Sequence, residues 1–96
     1  MLKIKWEKQA LERHEEWGLS IALEYSLTHA LTYLAEINSG TEKIAEFPLI
    51  GTKFGTILRV DMRRYVTRSG YSIFYEILRN DKENFVLIVS VIRNFE

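Results

Sequence analysis

The chain has 96 residues, 47% of them hydrophobic, no cysteine and a formal net charge of zero. Such a length allows one domain, residues 1–96, with a compact core, and the lack of cysteine excludes a disulfide framework, a zinc knuckle and a thiol nucleophile. No window approaches the ~18 apolar residues of a membrane helix, and the opening "MLKIKWEKQ" has no apolar signal-peptide run, so the reading is a soluble cytoplasmic protein without a membrane partner. The neutrality hides an uneven distribution. Residues 1–47 carry five Lys/Arg against eight Asp/Glu, residues 48–80 six against two, and residues 81–96 two against three. A basic segment of this kind suits an anionic partner, although the same arginines also solvate an exposed sheet face.

Residues 2–6, "LKIKW", alternate apolar and basic, which predicts a short strand with Leu2, Ile4 and Trp6 inward. From Glu7 the pattern turns helical, with Leu11, Trp17, Ile21 and Tyr25 on one stripe and Gly18 at a bend or a close contact. Ser26 or Thr28 caps a second helix carrying Leu27, Ala30, Leu31, Leu34, Ile37 and Ile44. Asn38, Ser39 and Gly40 are poor helix residues, so this helix is expected to fray or break there, and Phe47-Pro48 ends it. "PLIGTKFGT" reads as a loop. Three apolar runs then follow, at about 56–68, 71–79 and 85–93, separated by Ser69-Gly70 and by "NDKEN", the spacing of antiparallel hairpins.

The expected architecture is α+β in the order β-α-α-β-β-β, a helical hairpin on one face of a small, largely antiparallel sheet. In "SGYSIFYEIL" (69–78), Tyr71, Ile73, Tyr75 and Ile77 point one way, and Phe74 and Leu78 the other. "FVLIVSVI" is likewise apolar on both faces, so both strands belong in the middle of the sheet. The arginine-bearing strand before them then lies at or next to an edge.

Walker A, G-x-G-x-x-G, H-E-x-x-H and nucleophile-elbow patterns are all missing. His14 and His29 fall on different helices and read as surface or boundary residues; neither metal nor cofactor is expected. The carboxylates of "HEEW" and "AEINSGTEKIAEF" read as a solvated helix face. What remains is basic and phenolic: Lys53, Arg59, Arg63, Arg64, Arg68, Arg79 and Arg93, with Tyr65, Tyr71 and Tyr75. Arginine forks match phosphate and carboxylate oxygens. Strict alternation puts Arg64 and Arg68 on one strand face with Met62 and Val66, and Arg59 and Arg63 on the other with Tyr65. Tyr75, between Phe74 and Ile77, reads as core.

"EFPLIG" (46–51) after a helical hairpin, an arginine strand, "GYSIFYEI" (70–77) and "VLIVSVIRN" (86–94) together resemble the RelE/ParE superfamily of bacterial toxins, over nearly the whole chain. The resemblance implies the toxin of a type II toxin–antitoxin module of the plasmid-stabilisation kind, neutralised by a cognate antitoxin and touching DNA only through it. RelE-like members cleave mRNA on the ribosome; ParE-like members inhibit DNA gyrase and are not nucleases. By resemblance to the former, Arg68 of "TRSGY", Arg93 and Tyr71 would be catalytic, but the C-terminal tail tyrosine and the second basic residue after the last strand are missing. By resemblance to the latter, Arg64 stands seven residues before the tyrosine of "YSIFY". The balanced charge and the want of a proton shuttle favour the ParE-like branch, with gyrase as target and Arg59, Arg63, Arg64, Arg68, Arg93 and Lys53 meeting target or antitoxin. The alternatives are a RelE-like endonuclease acting on ribosome-bound mRNA, or a harmless member that only binds its antitoxin. On this reading the uncovered face of strand 71–79 receives the antitoxin peptide, with Arg64 and Arg68 beside it.

Overall fold

A computed structural model describes residues 1–55 and 61–93. The elements are β1 (Lys3–Trp6), α1 (Lys8–Glu24), α2 (Leu27–Glu46), β2 (Thr52–Lys53), β3 (Met62–Val66), β4 (Tyr71–Arg79) and β5 (Asn84–Arg93). They form one five-stranded sheet in the order β1-β5-β4-β3-β2, antiparallel except for the parallel β1–β5 pair. The expected α+β fold, with two helices against one face of the sheet, is what the chain adopts. Two details differ. β2 lies inside the segment read as a loop, where Thr52 and Lys53 pair with Arg64 and Arg63. Among the described residues β3 spans Met62–Val66 of the strand expected over 56–68, ending two residues early; residues 56–60, with Arg59, lie outside the described residues.

The helices also depart from the simplest reading. α2 runs unbroken through Asn38-Ser39-Gly40 because tertiary packing overrides weak propensity there. A Cβ on Gly40 would come within 2.8 Å of the buried Ile73 Cδ1, so its missing side chain lets the helix lie close on the sheet. Ser26 is the N-cap, accepting from the His29 backbone N–H at 3.1 Å. The C-terminal end is set by Phe47-Pro48, as expected.

The core cluster joins Ile21, Ala30, Tyr33, Ile37 and Ile44 of the helices to Ile73, Tyr75, Val86 and Ile88 of the central strands. Several residues expected inward instead face solvent: Tyr25, Leu27 and Leu31 are exposed, and Leu11, Trp17 and Leu34 are partly so. The helices bury a narrow stripe of small and β-branched residues and leave leucines outside.

β5 carries a bulge. Phe74 pairs with Ser90 but Tyr75 pairs with Ile88, so Val89 is an extra residue in the ladder. Such a bulge reverses the alternation of faces beyond it. Val86 and Ile88 point into the core before the bulge and Val91 packs against it after, a switch from even to odd numbers.

At the boundary of the core, the His14 ring stacks on Trp6 with centroids 4.8 Å apart, and its Nδ1 lies 2.8 Å from the Tyr33 hydroxyl. Desolvation lowers the His14 pKa from its ordinary value near 6.5, partly opposed by Glu15, and burial raises that of the Tyr33 phenol. A base held neutral in the fold contributes stability that is complete above its unfolded pKa and is lost as pH falls below about 6.5. Thermal unfolding between pH 5 and pH 7 should therefore show stability rising with pH. A His14→Gln variant should be flatter over that interval, and an unchanged slope would contradict the assignment.

Candidate functional site

The segment after α2 crosses the sheet over Tyr75. Its hydroxyl donates to Pro48 O at 2.6 Å and accepts from the Gly51 N–H at 2.9 Å, although the side chain is fully buried in the core. Burial raises the Tyr75 pKa, with the Gly51 hydrogen bond and the Arg63 charge opposing, which leaves the phenol a neutral donor. A Cβ on Gly51 would sit 2.6 Å from that oxygen and 3.0 Å from Arg64 O, so space demands glycine here. Arg63 Nη1 donates to Gly51 O at 2.8 Å. "FPLIG" and "YSIFYEI" are thus two halves of one contact, and β2 starts at its end.

The described cations fall in separate places. Arg64 lies on the face of the sheet away from the helices, where Nε donates to Ser72 Oγ at 2.7 Å. It pairs with Phe74, whose ring meets that of Phe54 at 5.3 Å. Arg63 and its cross-strand partner Lys53 lie on the opposite face, with Tyr65, as alternation predicted. Arg68 does not share a face with Arg64. β3 ends at Val66 and the chain turns through Thr67–Gly70, Gly70 at φ 95°, so alternation stops two residues before Arg68. Arg68 lines a hollow on the helix side with Glu36, Gly40 and Lys43.

Glu36 departs furthest from its expected role as part of a solvated face. Its carboxylate accepts from Thr67 Oγ1, from the Ser69 N–H at 2.9 Å and from Ser69 Oγ at 2.7 Å, tying α2 to the β3–β4 turn. Desolvation raises its pKa, but these hydrogen bonds and the Arg68 charge outweigh that and hold it below the usual carboxylate value. The clue in the sequence is an acidic residue one turn from Tyr33 and Gly40 on the buried side of α2.

Tyr71 and Arg93 are direct partners across β4 and β5 and line a groove of about 490 Å³ with Trp17, Tyr25, Tyr33 and Glu36. The Tyr33 and Tyr71 rings meet edge to face at 5.0 Å. Outside the groove the helical hairpin exposes Leu19 and Leu23 on α1 and Leu27 and Leu31 on α2; Leu23 and Leu27 are 78% and 66% accessible. Each pair is four residues apart and so shares one side of its helix. Among the described residues no group of three or more His, Cys, Asp or Glu is placed to hold a metal ion. No helix there is long and apolar enough to cross a membrane.

The model of the ParE toxin of the type II toxin–antitoxin system parDE matches residues 4–94. The chain belongs to this toxin family. The RelE/ParE resemblance of the sequence is thereby established, on its ParE side. Two solved structures share the fold. The chromosomal ParDE toxin–antitoxin system from P. aeruginosa matches with a TM-score of 0.74 at 14% identity, over 99% of this chain and 98% of the other. The YoeB/ParE toxin from Agrobacterium tumefaciens matches with a TM-score of 0.67 at 11% identity, over 98% and 100%. No curated protein matches the chain.

Two substitutions test the loop–sheet contact. Tyr75→Phe should cost about 1–3 kcal/mol, because it leaves the Gly51 donor and the Pro48 acceptor without their shared partner. Gly51→Ala should cost a similar amount, roughly 1–3 kcal/mol, through overpacking. Denaturant unfolding reads both, and wild-type stability in either variant would show that the contact is idle.

Proposed function

We propose that the chain is the toxin of a two-protein module, neutralised by a cognate antitoxin, and that it inhibits DNA gyrase by occupying a protein surface. The family match over residues 4–94 carries this reading. The geometry supports it from two sides. RNA cleavage through an internal 2′-hydroxyl needs a proton acceptor and donor beside cations that stabilise the phosphorane. The residues a RelE-like mechanism would use do not share one hollow: Tyr71 and Arg93 are neighbours on β4 and β5 lining the groove, while Arg68 lines the adjoining hollow on the other side of Glu36, which borders both. Tyr71 also packs edge-on against the buried Tyr33, which suits a ring-packing role.

The two sides of the molecule suit two partners. The exposed leucines of α1 and α2 offer an amphipathic antitoxin segment an apolar seat, and such surfaces are uncommon on proteins that act alone. Arg64 stands on the opposite side, oriented by Ser72 and bordered by Phe74, in the manner of an aromatic-flanked arginine anchor. On this proposal the antitoxin sits on the helical hairpin, rather than on the uncovered sheet face expected from the sequence, and Arg64 is left for the target.

Supercoiling by purified gyrase, run beside primer extension on translated messages, tests the reading. Inhibited supercoiling with intact messages is expected. Codon-phased cuts lost in Arg68→Ala would overturn it in favour of the endonuclease, and neither effect would leave a harmless antitoxin-binding protein. Arg64→Ala should abolish growth inhibition with a stability change within about 1 kcal/mol while antitoxin capture persists. Leu23→Glu should do the reverse, losing capture and keeping toxicity.

A further inference from the structure

A second cluster of cations stands apart from both Arg64 and the leucines. Lys53 of β2 and Arg63 of β3 are directly opposite one another, a like-charge juxtaposition that weakens an antiparallel pair. Both line a hollow of about 390 Å³, and Arg79 lines it from the end of β4. Ile77 and Leu78 of the same strand line it beside Arg79. Leu49, from the segment held over Tyr75, supplies further apolar surface. Asp61 is the one carboxylate among the described residues of the lining, 4.0 Å from Lys53 Nζ. Three cations against one carboxylate give the described lining a net charge of +2 (3 − 1). Arg63 is also fixed in advance, since its Nη1 bonds Gly51 O and Gly51 is tied to Tyr75.

We propose that this hollow binds a phosphate monoester, its dianion held by Lys53, Arg63 and Arg79 and its organic part resting on Leu49 and Ile77. The charge decides the class. A phosphate monoester carries roughly −1.5 to −2 at neutral pH and matches the lining, whereas one carboxylate would leave a cation unpaired. Arginine forks suit its oxygens, and the volume falls within the roughly 300–1,000 Å³ of small-molecule sites. The same chemistry is offered by a free nucleotide and by the 5′ end of a nucleic-acid strand. Because Lys53 and Arg63 repel one another, an anion between them should stabilise the fold as well as bind.

The test titrates the folded chain with adenosine 5′-monophosphate, with a 5′-phosphorylated trinucleotide and with the same trinucleotide bearing a 5′-hydroxyl, by calorimetry and thermal unfolding. An acidic peptide serves as a fourth probe. Saturable binding of a phosphorylated probe is expected, about tenfold or more tighter than the hydroxyl strand, with a rise in Tm. Arg79→Gln should weaken that binding about tenfold while leaving the circular dichroism unchanged. Equal affinity for the monophosphate and the strand would assign the site to free nucleotides; tighter binding of the strand would assign it to strand ends. No saturable binding of either phosphorylated probe, no preference over the hydroxyl strand, tighter binding of the peptide, or an unaffected Arg79→Gln variant would each overturn the proposal. Lys53 and Arg63 lie on the other face of the sheet from Arg64, so gyrase inhibition can fail without affecting this result, and the reverse.

Discussion

The hydroxyl of Tyr75 is the one polar atom on which the arrangement of this molecule turns. Its ring sits in the core between the helices and the sheet, where a bare hydroxyl would cost a few kcal/mol. The crossing segment removes that cost by presenting Pro48 O and the Gly51 N–H to the same oxygen. Proline ends α2 and leaves its carbonyl available, and glycine permits the close approach. With the segment pinned, Thr52 and Lys53 come into register as β2, and Arg63 finds Gly51 O. The placement of the β2–β3 cations therefore descends from a core hydrogen bond.

A second consequence is the contrast between the two faces of the sheet. The helix-covered face carries the apolar core, closed at the β3–β4 turn by Glu36 with Thr67 and Ser69. The other face carries Arg64, Phe74 and, on β1, Lys3 and Lys5, which meet Glu83. Lys5 Nζ also lies 4.2 Å from the centre of the Phe85 ring. Lysines on a short edge strand oppose edge-to-edge pairing, so β1 closes the sheet at one side, with Arg64 nearer the other edge.

Much of this was legible in the residues. Helix boundaries followed from Ser26 and Pro48, the β3–β4 turn from Ser69-Gly70, and the burial of Tyr75 from its neighbours. What escaped did so for identifiable reasons. Alternation assigned Arg68 to the Arg64 face because nothing in "YVTRSGY" announces that the strand stops at Val66. The apolar run of β5 concealed a bulge at Val89, since valine suits either face. β2 is two residues long and held by tertiary contacts, too short for any periodicity. Glu36 looked like its solvated neighbours until the turn it captures came into view. Leu27 and Leu31 belong to the apolar stripe expected of α2 yet face solvent, because composition cannot separate a core stripe from an exposed apolar surface.

The account is tested most directly by hydrogen exchange at a single amide, that of Gly51. A loop amide open to water exchanges quickly, whereas one bonded to a buried phenol in the core opens only with the fold. In native-state exchange the Gly51 amide is predicted to be protected to the level of Ile73 and Ile88 in the central strands, and to lose that protection in Tyr75→Phe. Exchange of the Gly51 amide at the rate of an exposed loop in the wild-type protein would contradict the account.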